Sequence, residues 1–219
     1  EWVDATRTVA VTAPKAAEPE EPNRGSEGRE DSIFKNDFSY EELDSLNENA
    51  AKKLIFIDAG HGGKDSGSIG HEGKSDQLYE KTVNLKVALM VRDYLEEAGG
   101  RVYMERETDV YSKPADRGYL ANEVGADIYI ALHNNSAESS AINGTEVLYY
   151  DKVNADGQTL EEAYGLSSKA LAEAIQKEML AALGRADRGI KSKAAMAVLN
   201  KSVMPAVIVE GAFISNEEE

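Results

Sequence analysis

The chain contains no cysteine. That excludes a disulfide framework and every thiolate ligand, so a transition metal here must be held by His, Asp or Glu. A lack of cysteine is also compatible with an exported protein. Histidine is scarce, three in 219 residues. No window approaches the run of about 18 apolar residues that a membrane span needs. Basic side chains are outnumbered, 24 Lys and Arg against 40 Asp and Glu, for a formal charge of −16. Such a balance argues against binding nucleic acid through phosphates and against attraction to an anionic surface. There are no internal repeats, and the residues from Glu1 onward show neither a basic n-region nor an apolar h-region.

The acidity is uneven. Residues 1–50 carry 13 acidic and 5 basic side chains, a charge of −8, which is half of the net value. Residues 1–12 alternate like a strand and hold the only Trp, Trp2. A lone strand is not stable, so this stretch is expected to be the remnant of a preceding domain. Residues 13–52 are rich in Pro, Glu, Gly and Ala and read as an acidic linker. Within them Phe34, Phe38, Leu43 and Leu46 are spaced loosely enough to allow a short helix, with linker the preferred reading.

From Lys53 the texture changes to alternating strands and helices, which predicts an α/β fold. The expected architecture is a mostly parallel or mixed six-stranded sheet with helices on both faces, spanning 53–219. The apolar runs predict strands at 54–57, 101–105, 128–132, 145–150, 195–199 and 206–210. The 3.6-residue spacing predicts helices at 82–98, 114–124 and 164–183. A closing helix would be expected after the last strand, so the catalytic unit is read as cut short at its C-terminal end.

The chemistry-bearing residues follow the apolar runs. Leu54-Ile55-Phe56-Ile57 leads into Asp58-Ala59-Gly60-His61-Gly62-Gly63. Ile128-Tyr129-Ile130-Ala131-Leu132 leads into His133, and Val207-Ile208-Val209 into Glu210. In open α/β sheets, ligands and catalytic groups gather beyond the carboxyl ends of the strands. Two imidazoles and a carboxylate meeting there would suit zinc. Each histidine alone is most simply a turn or capping residue; the two together at equivalent positions point to a site. Glu80 opens a helix, where an acidic residue ordinarily complements the dipole, and Asn84 falls on the same face within hydrogen-bonding reach. Glu210 is costly at the end of a buried strand unless paired or catalytic. His71 reads as a solvated loop residue. Asp58 is expected to orient His61 or to satisfy the turn backbone. Arg106, Asp109, Arg117 and Asn122 read as structural ion-pair residues.

Taken in order, these motifs resemble the zinc-dependent N-acetylmuramoyl-L-alanine amidases of the amidase-3 family. The resemblance runs from Lys53 to Asn216. It rests on Asp58 to Gly63, on Glu80 with Asn84, and on Arg106-Glu107-Thr108-Asp109. It continues through Arg117, Ala121-Asn122, Leu132 to Ser136, Pro205 to Gly211 and Phe213 to Asn216. It implies that His61, Glu80 and His133 bind Zn²⁺ and that Glu210 is the catalytic carboxylate. It further implies an exported, monomeric hydrolase that opens the amide between N-acetylmuramic acid and L-alanine in peptidoglycan, at the cell wall. Asn134 departs from the small residue that many members carry after the second histidine. Residues 1–12 also resemble the end of a copper-amine-oxidase-N-like domain. Two other readings share these residues. A facial triad of two His and one carboxylate serves non-haem iron oxygenases, and a vestigial site would leave a wall-binding module.

Overall fold

The computed structural model describes residues 53–219. The expected N-terminal strand, linker and short helix lie outside the described residues. Strand β1 (Leu54–Ala59) enters the core first. A small hairpin of β2 (Ile69–Gly70) and β3 (Leu78–Tyr79) follows, then helix α1 (Glu80–Glu97). Next come β4 (Arg101–Met104), α2 (Pro114–Glu123), β5 (Ile128–Asn135) and β6 (Thr145–Tyr149). The chain continues through α3 (Leu160–Tyr164), α4 (Ser168–Leu183), β7 (Asp187–Ser192), α5 (Ala197–Lys201) and β8 (Ala206–Phe213).

The main sheet has six strands in the order β4-β1-β5-β8-β6-β7. All neighbours are parallel except β6 and β8. The strands alternate between two cores, as period-two side chains must. Phe56, Tyr129, Ala131, Leu148 and Ile208 point to one face, covered by α2 and α5. Ile57, Ala59, Leu132, Val147, Val207 and Val209 point to the other, covered by α1 and α4. The predicted α/β class, strand number and two-sided helix cover are therefore what the chain adopts.

Three expectations are corrected. Residues 195–199 do not form a strand; Ala197–Lys201 is the short helix α5, and the sixth strand is the polar segment Asp187–Ser192. Val198 and Leu199 are buried on a helix instead, against the Phe56 and Tyr129 face. The helix expected from residue 164 is divided. Thr159 and Glu162 form the capping box that starts α3, Gly165 stops it in the left-handed conformation, and Ser167 caps α4. Finally, β5 and β8 do not end at the functional residues. Both run on to Asn135 and Phe213, with an irregularity between His133 and Asn135.

Candidate functional site

His61 follows β1, Glu80 opens α1, and His133 and Glu210 lie near the carboxyl ends of β5 and β8, paired in register. Parallel pairing brings the first, third and fourth of these to one edge of the sheet. Glu80 reaches it because α1 starts there. Glu80 Oε2 is 3.1 Å from His61 Nε2, and its Oε1 is 3.0 Å from His133 Nδ1. One donor atom from each of the three residues lies within 4.8 Å of the others. The two rings cross edge to face with centroids 4.9 Å apart.

Backbone geometry makes room for this. A Cβ on Gly60 would meet the His133 ring at 2.3 Å, and one on Gly67 would meet Glu80 Oε2 at 2.6 Å. Both positions require glycine. His61 itself has a φ of +64°, left-handed and unusual for a side chain with Cβ. Two buried arginines hold the loop in place. Arg106 Nε and Nη2 donate to the carbonyls of Ala59 and Gly60, and Arg117 Nη2 donates to that of His61.

The Glu80 carboxylate is buried and heavily solvated by protein. It accepts from the Ser68 and Asn134 amides and from Asn84 Nδ2. Burial pushes its pKa up, but His133, His61 and the Ser68 N–H outweigh this and hold it well below the ordinary carboxylate range. Burial likewise opposes charge on His61, yet Glu80 and Asp65 leave its pKa raised. The Asp65 carboxylate accepts from His61 Nδ1 at 2.9 Å, fixing the ring so that Nε2 points to Glu80.

Glu210 behaves in the opposite way. Its Oε2 is buried without a hydrogen-bond partner among the described residues. Burial lifts its pKa to about 7, against the pull of His133 and with help from Glu80 and Glu146. All four residues line one open cleft of about 550 Å³, with Arg117 and Asn134 beside them and Met196, Ala197 and Val198 of the α5 region forming an apolar wall.

The donor set fits a metal. Ligands held about 2.0–2.2 Å from zinc at tetrahedral angles stand roughly 3.3–3.5 Å apart. The imidazole nitrogens lie 3.1 and 3.0 Å from the two separate oxygens of Glu80, and one donor atom from each of the three residues lies within 4.8 Å of the others, near enough for small side-chain shifts to bring them onto one ion. Two nitrogens and one oxygen would leave one position of a four-coordinate zinc for water or substrate.

The profile of the N-acetylmuramoyl-L-alanine amidase family, Amidase_3, matches residues 55–219. The chain belongs to this amidase family. The amidase LytC of Bacillus subtilis is 40% identical over 167 residues, which are 76% of this chain and 30% of LytC. The chain thus spans less than a third of that relative. The germination-specific N-acetylmuramoyl-L-alanine amidase of the same organism is 34% identical over 181 residues, covering 76% of this chain and 69% of the relative. Among solved structures, the catalytic domain of the amidase CwlV from Bacillus (Paenibacillus) polymyxa superposes with a TM-score of 0.64 at 36% identity. That superposition covers 76% of this chain and 84% of the CwlV catalytic-domain chain.

Within this amidase-family fold, several sequence expectations resolve differently. Asn84 does bind Glu80, at 3.3 Å, and it also accepts from Asn134 Nδ2, which gives the departing Asn134 a structural partner. Asp58 does not touch the His61 ring. It is fully buried and bound by Arg117 Nη1 at 2.8 Å and by the Tyr129 hydroxyl. Its link to His61 runs through Arg117. Arg106 makes backbone contacts and, among the described residues, no carboxylate pair; Asp109 pairs with Lys81, and Asn122 caps the backbone at Lys201 and Val203. His71 stays in its loop, paired with Asp76. Asp65 was not foreseen. Its signal was the acidic residue four positions after His61 inside a glycine-rich loop.

Proposed function

We propose that this chain is a zinc-dependent N-acetylmuramoyl-L-alanine amidase. Its substrate would be peptidoglycan, and the bond opened would be the amide between the lactyl group of N-acetylmuramic acid and L-alanine. The observation that carries the reading is the convergence of His61, Glu80 and His133 on one cleft, beside an unpartnered buried carboxylate oxygen of Glu210. In this reading His61, Glu80 and His133 hold the metal and Glu210 does the proton work. Action at the cell wall is supported by the names of its relatives, which include the probable cell wall amidase LytH of Staphylococcus saprophyticus. No described helix is long and apolar enough to cross a membrane. Residues 53–219 would form the catalytic unit, and a monomer suffices because one chain supplies all four groups.

When bound, zinc supplies Lewis acidity, lowering the pKa of water toward about 7 and polarising a carbonyl oxygen. Everything else is set by the chain. The Asp65 contact keeps His61 Nε2 turned to the centre. The Ser68, Asn84 and Asn134 donors keep Glu80 ionised and fixed in place. Glu210 takes a proton from the attacking water and passes it to the alanine nitrogen, without which the tetrahedral adduct would revert. In the metal-free chain burial raises the Glu210 pKa, and its unpartnered Oε2 is free to take and return a proton.

The test is metal content per chain, by elemental analysis, for wild type, His61→Ala, Glu80→Ala and His133→Ala. One zinc in the wild type and a large loss in each variant is expected. Full zinc in any of the three removes that residue from the set, and stoichiometric iron in the wild type would favour oxygenase chemistry.

A further inference from the structure

Beyond Glu210, on the side of the sheet away from the three proposed ligands, lies a second group of charges. Glu146 on β6 is directly opposite Glu210 in the antiparallel register, so both side chains leave the same face. Glu146 is buried, yet it is not alone. Its Oε1 accepts from Asn135 Nδ2 at 3.3 Å. Its Oε2 accepts from Lys191 Nζ at 2.5 Å and Arg188 Nε at 3.3 Å, both on the edge strand β7. The Arg188 guanidinium carbon also lies over the Phe213 ring, 4.8 Å from its centroid. One carboxylate therefore anchors two cations, so these three side chains sum to +1 in a chain of net charge −16, with Glu210 across the register from them.

Both cations remain partly open to solvent, with side chains 36% and 39% exposed. Among the described residues, Lys191 Nζ uses one of its three donors and Arg188 Nη2 uses none. A structural ion pair needs one cation for one carboxylate. Two cations, held rigidly and pointing spare donors outward, fit an anion better. Asn135 joins the group to the cleft, since it lines the cleft and donates to Glu146.

We propose that Arg188 and Lys191 form an anion subsite that takes a carboxylate of the peptide leaving Glu210. This rests on the amidase reading. The leaving nitrogen must lie within hydrogen-bonding reach of Glu210, so the departing peptide starts at β8. Neighbouring strands are about 4.8 Å apart, and the two cations reach back to β6, one strand away. Two residues of extended chain cover roughly 7 Å. The carboxylate within reach is therefore on the second residue of the stem peptide, D-glutamate, whose free α-carboxylate is lost when that residue is amidated. The guanidinium and ammonium would grip it through charge-assisted hydrogen bonds.

The experiment compares two soluble substrates, N-acetylmuramoyl-L-alanyl-γ-D-glutamyl-L-lysine and its D-isoglutaminyl counterpart, in both of which the γ-carboxyl is held in a peptide bond, so that on this residue only the α-carboxyl differs. Wild type is expected to prefer the acid by about tenfold in kcat/KM, through KM, the size of one partly exposed charge-assisted contact. Lys191→Gln should abolish most of that preference and Lys191→Arg should keep it. Glu146 retains Arg188 as its partner in both variants, so the buried carboxylate stays paired. No preference in wild type, or an equal preference in Lys191→Gln, overturns the subsite. If wild type opens neither substrate nor whole peptidoglycan, the amidase reading fails instead. The subsite is then judged by calorimetric binding of L-alanyl-D-glutamate to the zinc-loaded protein. Binding about tenfold weaker in Lys191→Gln supports it, and equal binding overturns it.

Discussion

Replacing Arg117 with methionine should unfold this domain more easily than removing any exposed charge, and it should loosen His61 at the same time. The Arg117 and Asp58 side chains are 3% and 0% exposed. Removing one partner of such a pair leaves a buried charge uncompensated, at a cost of about 3–5 kcal/mol. Tyr129 still donates to Asp58 at 2.5 Å, which places the loss toward the lower end. The lost hydrogen bond to the His61 carbonyl adds about 1 kcal/mol. A net loss of about 3–4 kcal/mol corresponds to a fall in Tm of roughly 10 °C for a domain of this size. The assay is urea denaturation with a chelator present, because bound metal would add its own binding free energy to the folded state. The midpoint should fall while the slope is unchanged. Asp58→Asn combined with Arg117→Met should cost at least about 1 kcal/mol less than the two single changes added together. Metal affinity, measured by chelator competition, should fall by about tenfold in Arg117→Met, as is usual when a ligand's support is removed. A stability loss under about 1 kcal/mol, or strictly additive single changes, would refute the reasoning.

Other expectations follow from Glu210 and from the N-terminal segment. In metal-free protein, the folded pKa of Glu210 is raised to about 7 from an ordinary value of 4.5, so the folded state holds this proton longer than the unfolded state. Its contribution to stability is therefore lost as pH rises from 4.5 through 7, and Glu210→Gln, which stays neutral, should exceed wild type by about 3 kcal/mol at pH 8. Urea midpoints at pH 5 and pH 8 check this; a gap that does not shrink toward pH 5 contradicts it. A chain beginning at Ala51 should match the full chain in turnover of soluble muropeptides, since residues 1–50 carry none of the four groups; a large drop would show that the segment supports the domain. The segment between β6 and α4 holds only the five-residue helix α3 and contributes nothing to the lining of the cleft. The zinc-loaded domain should therefore be active without any partner, and an inert, folded, zinc-loaded protein that a partner switches on would contradict an open site.

What could be read from the sequence was set by burial. His133 and Glu210 were legible because strands buried on both faces read as continuous apolar runs, and a charged or ionisable residue in such a run stands out. Strand β7 was not legible for the converse reason. It is the sheet edge, and edge strands carry polar residues that discourage pairing with other chains, so no apolar run marks Asp187–Ser192 as a strand. The short run Ala195 to Leu199 was misassigned because length and periodicity cannot separate a five-residue strand from one helical turn. The residues proposed as ligands were visible as types and positions, but their supports were not. Nothing in one-dimensional spacing says that Asp58 meets Arg117 and Tyr129 rather than His61, or that Glu146 lies across from Glu210. Those pairings come from sheet register, which only the assembled fold supplies.

The most direct test of the central claim is mass analysis of purified peptidoglycan digested by wild type and by Glu210→Gln at matched zinc content. The account predicts that wild type releases peptides with a free L-alanine amine and leaves a lactyl carboxylate on the glycan. It predicts that the variant does so about 10²–10⁴-fold more slowly. Cleavage of a different bond, or undiminished release by Glu210→Gln, would contradict it.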